Sequence, residues 1–261
     1  ADPTLRWPER GSTVTQTTKY RAAGESRIVV NGKGPLEIKL RMPLWIGKDF
    51  AIRVNGTTQN VRHAPGTYAS LNRQWQRGDT IDISMPFKFR VERAIDNAAI
   101  QSIFYGPMLM AVQAAAVGNT LETGLIDFAL YKYLRLDGDL GRAMTPAGSP
   151  LHFTCNGQTL APFHIADPDP TITTPYHLYV RRHEPTVVFG SIDSAVRNTA
   201  RTDGLTFLDV VWDQAPFASL MELTAAVDRT SAEWQRLALF TDADRTSVRN
   251  ALARAGNELR G

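Results

Sequence analysis

The 261-residue chain contains one cysteine, Cys155. A lone thiol excludes an intrachain disulfide and a thiolate metal cage, so stability has to come from a packed core. Cys155 ends the strand-like run Leu151-His152-Phe153-Thr154-Cys155. No basic microenvironment is visible beside it, so a buried small hydrophobe is expected rather than a nucleophile. Long apolar runs are missing too. The longest, Met108 to Val117, is broken by Gln113 and falls short of the ~20 residues that span a bilayer, so no membrane partner is expected. The opening Ala1-Asp2-Pro3 leads straight into polar sequence without a signal-peptide pattern. There is no Gly-x-Ser-x-Gly elbow, phosphate-cradling loop or dinucleotide fingerprint, and no cofactor is expected.

A concentration of positive charge is also lacking. The formal net charge is +3 and the pI about 9.1, but the cations are scattered singly and most have acidic neighbours. The densest group is Arg181-Arg182-His183, too little for a nucleic-acid footprint, so no nucleic-acid partner is expected.

What is present is an ordinary globular balance, 43% hydrophobic and 21% charged, which can close a core unaided. The first ~115 residues read as short strands at roughly ten-residue spacing. Ser12–Tyr20 is rich in Thr, and Ser26–Val30 runs into the turn signal Asn31-Gly32. Leu36, Ile38, Leu40 and Met42 alternate with Glu37, Lys39 and Arg41, which describes a strand with one wet face. Phe50, Ile52 and Val54 repeat the pattern up to Asn55-Gly56; Thr67–Leu71, Thr80–Met85 and Phe87–Arg93 continue it. Leu125–Leu136 reads as a helical turn or an aromatic-packing loop, ended by Asp137-Gly138-Asp139. More strands follow from Leu151 to about Ile192, interrupted by Asp167-Pro168-Asp169-Pro170, which cannot lie in a central strand. Near the C-terminus Leu220, Leu223, Val227, Trp234 and Leu237 fall at helical spacing. Thr241, with Asp244 three residues on, caps a second helix striped by Val248, Ala251, Leu252 and Ala255.

The fold class expected is mainly β: an antiparallel β-sandwich or jelly-roll-like domain over 1–117, an irregular connector over 118–150, a second smaller β domain over 151–195, and a helical extension over 196–261 ending in a helical hairpin.

Candidate chemistry is sparse. Glycoside hydrolysis needs two convergent carboxyl groups. Glu37, Asp82 and Glu92 alternate with apolar neighbours as solvated-face residues do, and Asp79 follows Gly78 in a turn. His177 and His183 are six apart, and nothing requires His152 to meet His164, so structural histidines are expected. Asp137-Gly138-Asp139 and Asp242-Ala243-Asp244 are fragments of calcium-loop pattern, read as a turn and a helix cap; no metal site is expected. Aromatic rings that could stack on a sugar remain: Trp45, Trp75, Trp212 and Trp234. Trp234 sits on an apolar helical stripe. Trp75, within Asn72-Arg73-Gln74-Trp75-Gln76-Arg77, fits either an exposed position or one beneath the Gly78-Asp79 turn. Trp75 and Trp45 are the carbohydrate-binding candidates, and no residue is assigned a catalytic role.

One ordered set of motifs is more specific. Leu40-Arg41-Met42-Pro43-Leu44-Trp45 is followed by Ile52-Arg53-Val54-Asn55-Gly56, then Tyr68, Leu71, Arg73, Trp75 and Gly78-Asp79-Thr80. Next come Ile81-Asp82-Ile83-Ser84-Met85-Pro86 and Phe104-Tyr105-Gly106-Pro107-Met108-Leu109-Met110-Ala111. Together these resemble the sandwich domain that follows the helical barrel in β-L-arabinofuranosidases of glycoside hydrolase family 127 and relatives. Arg10-Gly11-Ser12-Thr13-Val14-Thr15-Gln16-Thr17-Thr18 resembles that domain's first strand. Leu160-Ala161-Pro162-Phe163 and Tyr176-His177-Leu178-Tyr179-Val180 are similar to the small β domain that comes next.

The resemblance implies an (α/α)6 barrel upstream, carrying an acid/base glutamate, a cysteine nucleophile and a zinc held by cysteines and glutamate. None of these transfers here, since Cys155 lies downstream of the sandwich and has no adjacent cysteine. The expectation is a non-catalytic accessory C-terminal region of a secreted or periplasmic glycoside hydrolase, with the barrel as partner. Such a module should expose an apolar flank. The alternative is an autonomous carbohydrate-binding module with carbohydrate as partner. A hydrolase in its own right would need a concave pocket with two convergent carboxylates.

Overall fold

A computed structural model describes residues 3–19, 23–47, 49–61, 64–113, 126–165 and 176–261. The Asp167–Pro170 segment and residues 118–125 of the expected connector lie outside the described residues. The chain divides into two compact units, 1–88 and 89–261.

The first unit consists of β1 (Thr4–Trp7), β2 (Ser12–Thr18), β3 (Glu25–Asn31), β4 (Gly34–Arg41), β5 (Ala51–Val54), β6 (Thr57–Thr58), β7 (Tyr68–Trp75) and β8 (Asp79–Ser84). Six of them form an antiparallel sheet in the order β1-β2-β3-β8-β5-β6, and β4 pairs antiparallel with β7. Period-two alternation gives each sheet one apolar face. Ile28, Val30, Ile52, Val54 and Ile81 from the larger sheet share one core with Leu40, Ala69, Leu71 and Trp75 from the β4–β7 pair. Each such buried aliphatic chain contributes roughly 1.5–3 kcal/mol.

The turn signals work in two different ways. Asn55 (φ 48°) and Gly56 (φ 80°) take the left-handed conformations of a two-residue hairpin between β5 and β6. Asn31-Gly32 does not close a hairpin. Both edges of β3 are already occupied, by β2 and β8, so the chain crosses to the other sheet as β4. Gly32 serves close approach instead, because a Cβ there would lie 2.3 Å from Ser12 Oγ. Gly78-Asp79 likewise carries the chain from β7 in one sheet to β8 in the other rather than joining a paired hairpin.

The second unit contains β9 (Phe89–Arg93), β10 (Gln101–Tyr105), β11 (Met108–Gln113), β12 (Ile126–Phe128), β13 (Thr145–Pro146), β14 (Phe153–Cys155), β15 (Gln158–Pro162), β16 (Tyr176–His177), β17 (Val180–Arg182), β18 (Thr186–Phe189) and β19 (Ile192–Arg197). Its main sheet runs β12-β17-β10-β11-β15-β14-β13, with β9 on β10 and β16 on β11. Strands β12 and β17 are parallel; the other pairs are antiparallel. The β10–β11 hairpin turns on Gly106-Pro107, with Tyr105 opposite Met108. The described part of the 125–136 stretch, 126–136, combines both readings offered for it: Phe128, Leu130, Tyr131 and Leu134 are buried around a single helical turn at Tyr131–Tyr133.

Strands β18 and β19 form a separate hairpin against the helices. These are α1 (Phe207–Trp212), α2 (Leu220–Arg236) and α3 (Asp242–Ala255). Thr241 caps α3 in a full capping box with Asp244, as its spacing predicts. Leu223, Val227 and Trp234 are buried on α2, whereas Leu237 is half exposed, because the helix ends at Arg236 and Leu237 is its C-cap. The short α1 lies within the helical extension expected over 196–261, although no helical spacing is singled out there. Thr206 and Asp209 form its capping box, and Phe207 packs against Trp234 at 5.6 Å.

Candidate functional site

Strand register brings a row of polar side chains together on the outer face of the six-stranded sheet. Thr17 on β2 stands opposite Arg27 on β3, Arg27 opposite Asp82 on β8, and Asp82 opposite Arg53 on β5. Their neighbours in sequence, Ile28, Ile81, Ile52 and Val54, point into the core, so alternation holds this row outward. Glu25 stands opposite Ser84 in the next row, with Ala51 beyond it. Lys19 joins them at the end of β2. Together these residues line a depression of about 480 Å³. Arg27 Nε donates to Asp82 Oδ1 at 2.6 Å. The Arg53 side chain has no hydrogen bond or ion pair among the described residues. A surface of this kind can bind through charge-assisted hydrogen bonds; its two carboxylates are Glu25 and Asp82, the latter engaged by Arg27.

A buried electrostatic cluster in the second unit is already saturated. Asp209 Oδ1 accepts from the Tyr131 hydroxyl and from Arg93 Nη2 at 3.1 Å. Its Oδ2 accepts from Thr206 N at 2.9 Å and Thr206 Oγ1 at 2.8 Å. Burial pushes the Asp209 carboxyl upward, but the Arg182 charge and the Tyr131 and Thr206 donors outweigh it, leaving the group below the ordinary carboxylate range. Burial raises the Tyr131 phenol in turn. The Arg182 guanidinium lies over the Tyr131 ring, 4.2 Å from its centroid. With its acceptor positions occupied, Asp209 is a tie between α1 and the strands rather than a proton carrier.

The sugar-stacking candidates fare poorly. Trp75 is 1% exposed and donates its indole N–H to Leu36 O at 2.8 Å, so neither ring face is open to a ligand. It is buried rather than exposed, and its carbohydrate-binding assignment is corrected. Trp45 is half-buried against the first unit's core and meets Phe87 edge-on at 5.6 Å. Trp212 and Trp234 are buried, Trp234 donating to Thr199 O at 3.0 Å.

The remaining candidates resolve as structure. Cys155 is buried, and desolvation pushes its thiol up to about 11. Asp79 is buried too, accepting from Gln76 N and Asn55 Nδ2, each at 2.8 Å, which lowers its carboxyl. Asp139 caps a helical turn through Gly141 N at 2.8 Å, and Asp137 pairs with Arg142 at 2.9 Å. Asp244 belongs to the α3 cap. Among the described residues no group of three or more His, Cys, Asp or Glu could hold a metal ion. The Arg181-Arg182 doublet splits: Arg181 pairs with Asp127 at 2.6 Å and Arg182 is buried.

The outer-face row was not singled out from sequence. Its members read as the wet positions of separate strands, and only the pairing register places them side by side.

Residues 1–87 match the family model described as the middle domain of glycoside hydrolase family 127 β-L-arabinofuranosidase. No curated protein sequence matches the chain. Among solved structures, one described as a glycoside hydrolase is similar at 19% identity and a TM-score of 0.52, over 70% of this chain and 34% of its own. A family 127 β-arabinofuranosidase is similar at 15% identity and a TM-score of 0.50, over 70% and 33%. A family 127 β-L-arabinofuranosidase from Geobacillus stearothermophilus T6 gives 17% identity and 0.48, over 70% and 32%. The resemblance carried by the motifs between Arg10 and Asp82 is thus met by the family's middle-domain model, and the first two structures show a common fold. The chain spans about a third of the length of the structures it matches.

Proposed function

We propose that this chain is a non-catalytic accessory region of a larger glycoside hydrolase resembling β-L-arabinofuranosidase, where it supports or covers an (α/α)6 catalytic barrel. The observation that carries this reading is the match of residues 1–87 to the middle-domain model, a domain named for its place within a longer enzyme. The share of about a third of each matched structure is consistent with a piece of a larger catalytic protein. The buried carboxylate Asp209 is committed to four protein donors and is unavailable to a substrate. In keeping with this reading we place the parent enzyme outside the cytoplasm, secreted or periplasmic.

Hydrolysis of p-nitrophenyl β-L-arabinofuranoside tests the proposal. The 261-residue chain should release no nitrophenol above the buffer rate, whereas the full-length protein that carries it should hydrolyse the substrate. Turnover by the chain alone would overturn the non-catalytic role. A full-length protein without a barrel would overturn the accessory role.

A further inference from the structure

We propose that the outer face of the six-stranded sheet binds a carboxylate-bearing sugar, a uronic acid residue within a short oligosaccharide, with Arg53 as its anchor. The depression there, about 480 Å³, is within the usual range for small-ligand sites. The charges of its described lining residues do not balance. Lys19, Arg27 and Arg53 face Glu25 and Asp82, and Arg27 is already engaged by Asp82. That leaves the Arg53 side chain without a hydrogen bond or ion pair among the described residues. A guanidinium presents a planar fork of donors that matches a carboxylate with two parallel hydrogen bonds.

The rest of the lining fits the body of a sugar. Asp82 uses Oδ1 for Arg27, while Oδ2 accepts no hydrogen bond among the described residues and is open to a sugar hydroxyl. Ser84 adds a hydroxyl one row away. None of the described lining residues is aromatic, so stacking by them does not supply the affinity. Recognition has to come from charge and hydrogen bonding, which selects an acidic sugar over a neutral one. The choice of a sugar acid over other carboxylates rests on the proposed place beside a glycoside hydrolase; the charge argument does not.

Isothermal titration of the 261-residue chain with trigalacturonic acid at low ionic strength is the test. Binding should be millimolar or tighter and should weaken as salt is raised. The neutral trisaccharide of the same linkage and citrate, a carboxylate without a sugar, should each bind about tenfold more weakly or less. Arg53→Gln should weaken trigalacturonate about tenfold or more, since a hydrogen bond to a charged group is lost, and Arg53→Lys should restore part of it. Arg53 is exposed, and an unchanged circular dichroism spectrum verifies that each variant is folded. Absence of binding at about 10 mM, equal binding of the neutral trisaccharide, or an unaffected Arg53→Gln variant would each overturn the site. Citrate binding as tightly as trigalacturonate would overturn the sugar assignment. These titrations do not involve arabinofuranoside hydrolysis, so a parent enzyme that fails that assay leaves them to stand or fall alone.

Discussion

The Tyr131 hydroxyl donates to Oδ1 of Asp209, 78 residues further along the chain, and the same oxygen takes Nη2 of Arg93. One carboxylate therefore caps α1 through Thr206, engages β9 through Arg93, and satisfies a phenol buried under the Arg182 guanidinium. Arg93 also forks onto Asp213 at 2.7 and 2.8 Å, so both acids at the ends of α1 are held by one side chain. A six-residue helix is too short to persist on its own. These ties, together with the packing of Phe207 and Leu208, fix α1 in place.

Asp209→Asn should destabilise the second unit by about 3–5 kcal/mol, because a half-buried Arg93 is left short of a charge partner and the cap is weakened. Tyr131→Phe should cost less, about 1–3 kcal/mol. The folded-state carboxyl of Asp209 is depressed. Its contribution is therefore complete above the unfolded aspartate value, near 3.9, and is lost as pH falls through the lower folded value. Urea unfolding from pH 6 downward should show wild type losing stability more steeply than Asp209→Asn. Parallel curves would remove Asp209 from the acid response.

Asn55 joins two turns of the first unit. Its Nδ2 donates to Asp79 and its Oδ1 accepts from Thr80 N, both at 2.8 Å, while its backbone holds a positive φ. Asn55→Ala removes both bonds and puts a less tolerant residue at φ 48°, which should cost about 2–3 kcal/mol. Asn55→Asp keeps the acceptor but sets a carboxylate against Asp79, and is expected to lie between wild type and alanine. Thermal melts of the three proteins rank them.

The buried Cys155 thiol should react slowly. With its thiol pushed up to about 11, reaction with an aromatic disulfide reagent at pH 8 should be more than tenfold slower in the native chain than in denaturant. The native rate should go on climbing with pH well beyond the value at which a free cysteine levels off. A native rate equal to the denatured rate would mean that the strand β14 does not protect it.

Sequence and structure agree where a local signal sufficed. Alternation at Leu36–Met42 and Ile52–Val54 marks faces that are indeed apolar, and Asn55-Gly56 and Thr241…Asp244 are turn and cap chemistries that need no distant partner. The signals misled where the answer depended on which strand lay alongside. Asn31-Gly32 has the composition of a hairpin, yet β3 is flanked by β2 and β8, so the same dipeptide serves a crossing between sheets. Trp75 lies in a polar run because its neighbours line the outer side of β7, while its own ring is buried in the first unit's core. The outer-face row was invisible for the same reason: Thr17, Arg27, Arg53 and Asp82 are scattered over more than sixty positions and become neighbours only through register.

Gly24 tests how tightly that register is held. A Cβ built there would lie 1.7 Å from the carbonyl oxygen of Met85, whose N–H donates to Gly24 O at 2.6 Å. The obstacle is backbone, so no rotamer change relieves it, and the end of the β3–β8 pairing must open to admit even one methyl group. Gly24→Ala should therefore destabilise the first unit by about 2 kcal/mol or more, whereas Gly148→Ala, with nothing within 4 Å of the added atom, should be close to neutral. Because Glu25 and Ser84 sit at that end of the sheet, the glycine variant should also loosen the outer-face depression. Hydrogen exchange read strand by strand separates the two effects: faster exchange confined to Glu25–Arg27 and Ile83–Met85 means local opening, and uniform acceleration across β2, β3, β5 and β8 means that the whole unit has been weakened.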